Sequence, residues 1–182
     1  MKAAIFLAKG YEEIEALTVV DMLRRAKIEI DVISTGDTLD TESSHGVKVK
    51  ADKVLADTNF EEYGCLVLPG GMPGTKNLEA NETLMKEMDK AYESDKLVCA
   101  ICAAPSVFGH RGYLKGRKAV CYPGFESELM GAEVEYVPVA EDGNVITSRG
   151  MGTAILFAAK IIERIIDKKT ADELLKAIVF CE

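Results

Sequence analysis

The chain has only two histidines, no basic run longer than Arg24-Arg25 or Lys168-Lys169, and no apolar stretch of membrane-spanning length. Each scarcity excludes something. His45 and His110 are too far apart for zinc-ligand spacing, so no metal site is expected. With 22 Lys and Arg against 30 Asp and Glu, a net charge of −8, there is no surface for tracking phosphates, and nucleic acid is not an expected partner. The apolar start, Ala3 to Ala8, is too short for a signal-peptide core or a membrane span, so a cytoplasmic protein that does not engage a membrane is expected. The five cysteines are then read as reduced thiols. No repeat, linker or low-complexity segment divides the sequence. Residues 1–182 are expected to be one domain, large enough to bury about 70% of the unfolded chain's surface.

Short runs rich in β-branched residues fall at 3–7, 28–34, 65–68, 97–101, 118–121 and 144–147, each ending near Gly, Pro or a polar turn. Helical patterns lie between or after them, at 11–26, 81–93, 103–110, 152–167 and 170–179. Alternation of this kind predicts βαβ units, a mostly parallel sheet and helices on both faces. Residues 35–58 break the pattern. There Val47-Lys48-Val49-Lys50 alternates beside short turns and predicts a small β-hairpin.

Three features carry chemistry. Ala100-Ile101-Cys102-Ala103-Ala104-Pro105 has the spacing of a nucleophile elbow, with small residues two before and two after a cysteine at the end of a strand. Pro105 suits the first turn of the helix that follows, where free N–H groups would favour a thiolate. The plain alternative is a small buried thiol in a core. Next, the strand ending at Leu68 runs into Pro69-Gly70-Gly71-Met72-Pro73-Gly74, whose glycines let backbone N–H groups approach a ligand as an oxyanion hole does. An ordinary strand-to-helix turn reads the same way. Last, Glu15 continues the otherwise apolar stripe Val19, Met22, Leu23, Ala26 of its helix. A carboxyl facing the sheet is desolvated, tends to keep its proton and can hydrogen-bond a thiolate.

Together with Ala8-Lys9-Gly10-Tyr11-Glu12-Glu13-Ile14-Glu15, Val67-Leu68-Pro69-Gly70-Gly71 and Thr147-Ser148-Arg149-Gly150-Met151-Gly152-Thr153, these segments resemble the DJ-1/ThiJ/PfpI superfamily over nearly the whole chain. The branch is that of the Parkinson's-disease-associated protein and its bacterial relatives. The resemblance implies a flavodoxin-like three-layer α/β sandwich, a homodimer, Cys102 as the elbow nucleophile and Glu15 as its protonated partner. It also implies oxyanion N–H groups from Gly71 and Ala103, and Ser148 near the thiol. One departure stands out. Where this branch often carries a histidine, the chain reads Cys121-Tyr122-Pro123, so the nearest third member is Tyr122.

The resemblance points to a carbonyl-stress enzyme without cofactor, a glutathione-independent glyoxalase making lactate from methylglyoxal or a protein deglycase. The rival reading is a non-catalytic oxidative-stress sensor or chaperone acting through oxidation of Cys102 to sulfinate. An intracellular cysteine peptidase ranks third, because neither histidine falls where it could take the thiol proton. Cys99 and Cys102 form a C-x-x-C, but Cys99 is expected inside the strand, which disfavours a disulfide. Cys121 is the better candidate for a resolving thiol. Cys65 is read as a core residue and Cys181 as a terminal one.

Overall fold

A computed structural model describes residues 1–180; Cys181 lies outside them. The chain runs β1 (Lys2–Leu7), α1 (Glu13–Arg25), β2 (Ile30–Ser34), β3 (Asp40–Glu42), β4 (Lys48–Lys50), β5 (Lys53–Val54) and β6 (Tyr63–Leu68). It continues through α2 (Gly74–Glu79), α3 (Glu82–Glu93), β7 (Leu97–Ile101), α4 (Pro105–His110), β8 (Lys118–Ala119) and β9 (Glu133–Val134). The last elements are β10 (Val139–Asp142), β11 (Val145–Ser148), α5 (Ala154–Ile165) and α6 (Lys168–Ala177).

Seven strands form the central sheet in the order β10-β11-β7-β6-β1-β2-β5, parallel except for the edge pair β10-β11. Its inner strands are apolar on both faces, as a parallel sheet covered by helices requires. Along β1, Ala3, Ile5 and Leu7 join one core with Val19 and Leu23 of α1 and Phe157 and Ile161 of α5. Ala4 and Phe6 point the other way, into a second core with Leu84 and Met88 of α3 and Phe108 of α4. Burying each of the larger of these side chains contributes about 1.5–3 kcal/mol, and the period of two along each strand sends alternate residues to opposite layers. This is the expected flavodoxin-like sandwich, and the expected hairpin is β3-β4.

Local signals set the helix ends. Asn81 caps α3 by accepting from Leu84 N–H at 3.0 Å, and Asp167 caps α6 by accepting from Thr170 N–H at 2.7 Å. Acidic Glu13 and Glu15 in the first turn of α1 and basic Arg24 and Arg25 in its last suit the helix dipole. The run expected as a strand over 118–121 is a strand only at Lys118–Ala119. It pairs with β9 outside the main sheet, because Val120 N–H donates to the buried Thr147 hydroxyl at 3.0 Å instead of continuing a ladder. Among the described residues, no helix is long and apolar enough to cross a membrane.

Candidate active site

The chain order of the sheet reverses between β1 and β6: β2 lies to one side of β1, while β6, β7 and β11 lie to the other. In open α/β sheets the crevice beyond the carboxyl ends of strands at such a point is the usual ligand site. Two loops meet there. Glu12 N–H donates to Gly70 O at 2.9 Å and Gly74 N–H to Gly10 O at 3.0 Å, which ties the segment after β1 to the glycine loop after β6.

Cys102 stands one residue past β7, with φ at +67°. A non-glycine residue in this left-handed region is held there by its surroundings. Its N–H donates to Ser148 O at 2.9 Å, and its carbonyl accepts from Tyr122 N–H at 2.8 Å. The elbow is thus pinned from both sides by main chain. The thiol is half-buried, and the N–H groups of Gly71 and Ala103 are both directed at the sulfur.

Glu15 approaches from α1. Its carboxyl is 1% exposed, continues the buried stripe of Val19, Met22 and Leu23, accepts from Gly70 N–H at 2.8 Å and hydrogen-bonds Cys102. Burial pushes its pKa up to about 7; the Cys102 and Gly70 hydrogen bonds oppose this, and the charge of Glu12 adds to it. Cys102 is pushed up to about 12, by burial first and then by the Glu15 charge and hydrogen bond, against the pull of the Gly71 and Ala103 amides. The thiolate-favouring effect expected of the elbow is therefore outweighed while Glu15 is ionised. Two like charges cannot share this dry space, so the pair is uncharged below about pH 7 and above it holds one charge and one proton, until the thiol too ionises at about 12.

Glycine is required beside this pair. A Cβ on Gly70 would stand 2.5 Å from the Cys102 Cβ, 2.7 Å from Glu15 Oε2 and 2.9 Å from Ile101 O. Gly71, at φ +91°, has the Tyr11–Glu12 backbone against it. Gly70 is the site residue for which sequence reasoning named only a loop; its signal was the Gly-Gly doublet.

The other expected residues divide. Ser148 meets Cys102 through its carbonyl, while its hydroxyl is turned to Pro138 O at 2.9 Å and Thr153 Oγ1 at 2.7 Å. Tyr122 is half exposed and lies against Gly150, where an added Cβ would be 3.2 Å from the ring and 4.0 Å from Glu15 Oε1. Cys99 is fully buried and its sulfur lies 3.9 Å from that of Cys65, the expected core residue. Cys121 is buried in the α3–α4 layer, whereas Cys102 packs toward the α1–α5 layer.

Both histidines are engaged elsewhere. His110 bridges Glu79 at 2.6 Å and Glu128 at 2.9 Å. His45 lies 3.1 Å from Glu13 and 3.7 Å from Glu12. The ligand atoms of these last three fall within 4.8 Å of one another, a grouping that sequence separation hid. A cavity of about 420 Å³ between Met1, Lys2 and Ile165 is at the amino end of the sheet, away from the thiol.

A family model described as the DJ-1/PfpI family matches residues 1–164. The chain belongs to that family. It is 39% identical to Protein DJ-1 homolog B of Arabidopsis thaliana over 94% of its own length, and spans 39% of the length of that relative. A Pyrococcus horikoshii protein named a deglycase is 32% identical, with 82% of this chain and 90% of that one covered. Among solved structures, oxidized Toxoplasma gondii DJ-1 superposes with a TM-score of 0.95 at 36% identity, covering 100% of this chain and 99% of that one. That DJ-1 structure shares the three-layer sandwich described above.

Proposed function

We propose that this DJ-1/PfpI chain is a cofactor-independent carbonyl-stress enzyme, a glyoxalase of methylglyoxal or a deglycase, with Cys102 as nucleophile and Glu15 as acid and base. The observation that carries the reading is the buried Glu15 carboxyl hydrogen-bonded to a strained elbow thiol on which two amides converge. The relative named a deglycase supports the reaction class.

In the proposed reaction the sulfur adds to the aldehyde carbon of methylglyoxal. The thiol proton passes to the carbonyl oxygen, with the amides of Gly71 and Ala103 positioned for the developing negative charge. Glu15, with a pKa near 7, then moves the C1 proton to C2 through an enediol, leaving a lactoyl thioester. Water hydrolyses that ester to lactate and restores the thiol. Nothing is oxidised overall. Tyr122 flanks the pair in the place of an imidazole, and both histidines are bound to carboxylates, which disfavours a cysteine peptidase.

A second reading, a redox sensor, draws on the half-buried thiol beside a carboxyl that can donate to a sulfinate, and on a related structure described as oxidized. Lactate released from methylglyoxal by the reduced, metal-free protein, compared with Cys102→Ser and Glu15→Gln, separates the two. Turnover in the parent alone supports the enzyme; no turnover in any of them leaves the sensor. A cytoplasmic homodimer belongs to the same proposal, checked by light scattering and by fractionation.

A further inference from the structure

Arg149 directly follows Ser148, whose carbonyl holds the Cys102 N–H. The residue is half-buried, yet among the described residues its guanidinium has no carboxylate within 4 Å and no side-chain hydrogen bond, unlike Arg24, Arg25, Arg111, Arg117 and Arg164. It lines a groove of about 390 Å³ with Tyr122, Pro123, Gly150 and Met151. The groove's remaining walls are largely apolar. It also adjoins the reactive pair, since a Cβ on Gly150 would stand 4.0 Å from Glu15 Oε1 and 3.2 Å from the Tyr122 ring, and Tyr122 N–H holds the Cys102 carbonyl. On the α1 side Glu12, Glu13 and Glu15 repel an anion, in a chain of net charge −8.

We infer that Arg149 is a specificity residue which binds an anionic group, carboxylate or phosphate, on a carbonyl substrate whose aldehyde carbon is at Cys102. The inference deepens the carbonyl reading above and rests on it: the preferred substrates are acidic aldehydes, with neutral methylglyoxal a stripped-down version. An unpaired guanidinium in a partly desolvated groove offers a two-pronged donor to such a group, and a charge-assisted pair there is stronger than at an open surface. The covalent step is a simple addition. The sulfur–carbon bond forms, the carbonyl π pair goes to oxygen and the thiol proton joins it, giving a reversible hemithioacetal.

Glyoxylate and glycolaldehyde test this, being small aldehydes that carry a carboxylate and a neutral hydroxymethyl group respectively. Protection of Cys102 from iodoacetamide is followed by mass spectrometry of its peptide in the full-length protein. We expect Arg149→Met to raise the half-protecting concentration of glyoxylate about ten-fold more than that of glycolaldehyde, with part of the difference recovered in Arg149→Lys. In the parent, added chloride weakens protection by glyoxylate selectively. An equal response of the two aldehydes to both the substitutions and the salt overturns the inference. Protection is read without turnover. Failure to make lactate from methylglyoxal therefore sinks the enzymatic reading alone, and an unchanged ratio sinks the role of Arg149 alone.

Discussion

Glu15, 1% exposed, hydrogen-bonds the thiol of Cys102, a bond that eases the ionisation of the carboxyl while the Glu15 charge raises the proton affinity of the thiol. Below pH 4.5 Glu15 is protonated in both folded and unfolded chains and costs nothing. Between pH 4.5 and about 7 the unfolded chain releases the proton and the folded one keeps it, so stability falls as pH rises; above 7 the loss is complete, roughly 3 kcal/mol. Glu15→Gln keeps an oxygen for Gly70 N–H and removes the charge. It should gain stability relative to the parent from pH 5 to pH 8 in urea titrations, whereas a constant difference would contradict a raised carboxyl. The same variant should alkylate faster at Cys102, because the charge that lifts the thiol is gone, while any turnover is lost.

Gly70→Ala should be destabilising by about 1–3 kcal/mol, since the new methyl meets the Cys102 Cβ, the Ile101 carbonyl and the buried end of Glu15 at once. A thermal melt and the Cys102 alkylation rate check it together. An unchanged melt with unchanged reactivity would mean that the loop moves aside freely.

The His110 imidazole can donate to both Glu79 and Glu128 only when protonated, and these two bonds raise its pKa. The resulting stabilisation is fully present below the unfolded value near 6.5 and fades as pH rises through the higher folded one. His110→Gln should therefore cost on the order of 1 kcal/mol at pH 6 and less at pH 9. Equal losses at the two pH values would show that the contact works by packing alone.

Mild peroxide should oxidise Cys102 before Cys65, Cys99 or Cys121, because only the first is partly open to solvent while the other three are buried. Peptide mapping should find sulfinate at Cys102. A 102–121 disulfide would require one of the two layers to open.

What could be read from the chain depended on how local the determinant was. Cys102 announced itself because a strand, a cysteine, two alanines and a proline are consecutive, and Glu15 because it interrupts an apolar stripe at helical spacing. Ser148 was legible as a neighbour but not in its manner of contact, since a carbonyl carries no residue-type signal. The pairing of His45 with Glu12 and Glu13 depends on the hairpin folding back over the start of α1, where Tyr11 and Ser43 form a bridge. The strand β10 escaped notice because Val-Ala-Glu-Asp at a sheet edge is half polar, and β8 was overextended because Val120 and Cys121 are apolar for the sake of packing, not pairing.

The contacts that hold Cys102 in its left-handed conformation come from the carbonyl of Ser148 and the N–H of Tyr122, atoms that every residue but proline would supply. The aim of the sulfur is thus written in main chain, while the rim beside it is written in side chains on the same two segments. A designer could exchange Tyr122 or Arg149 to retune what docks there and leave the nucleophile pointing where it does.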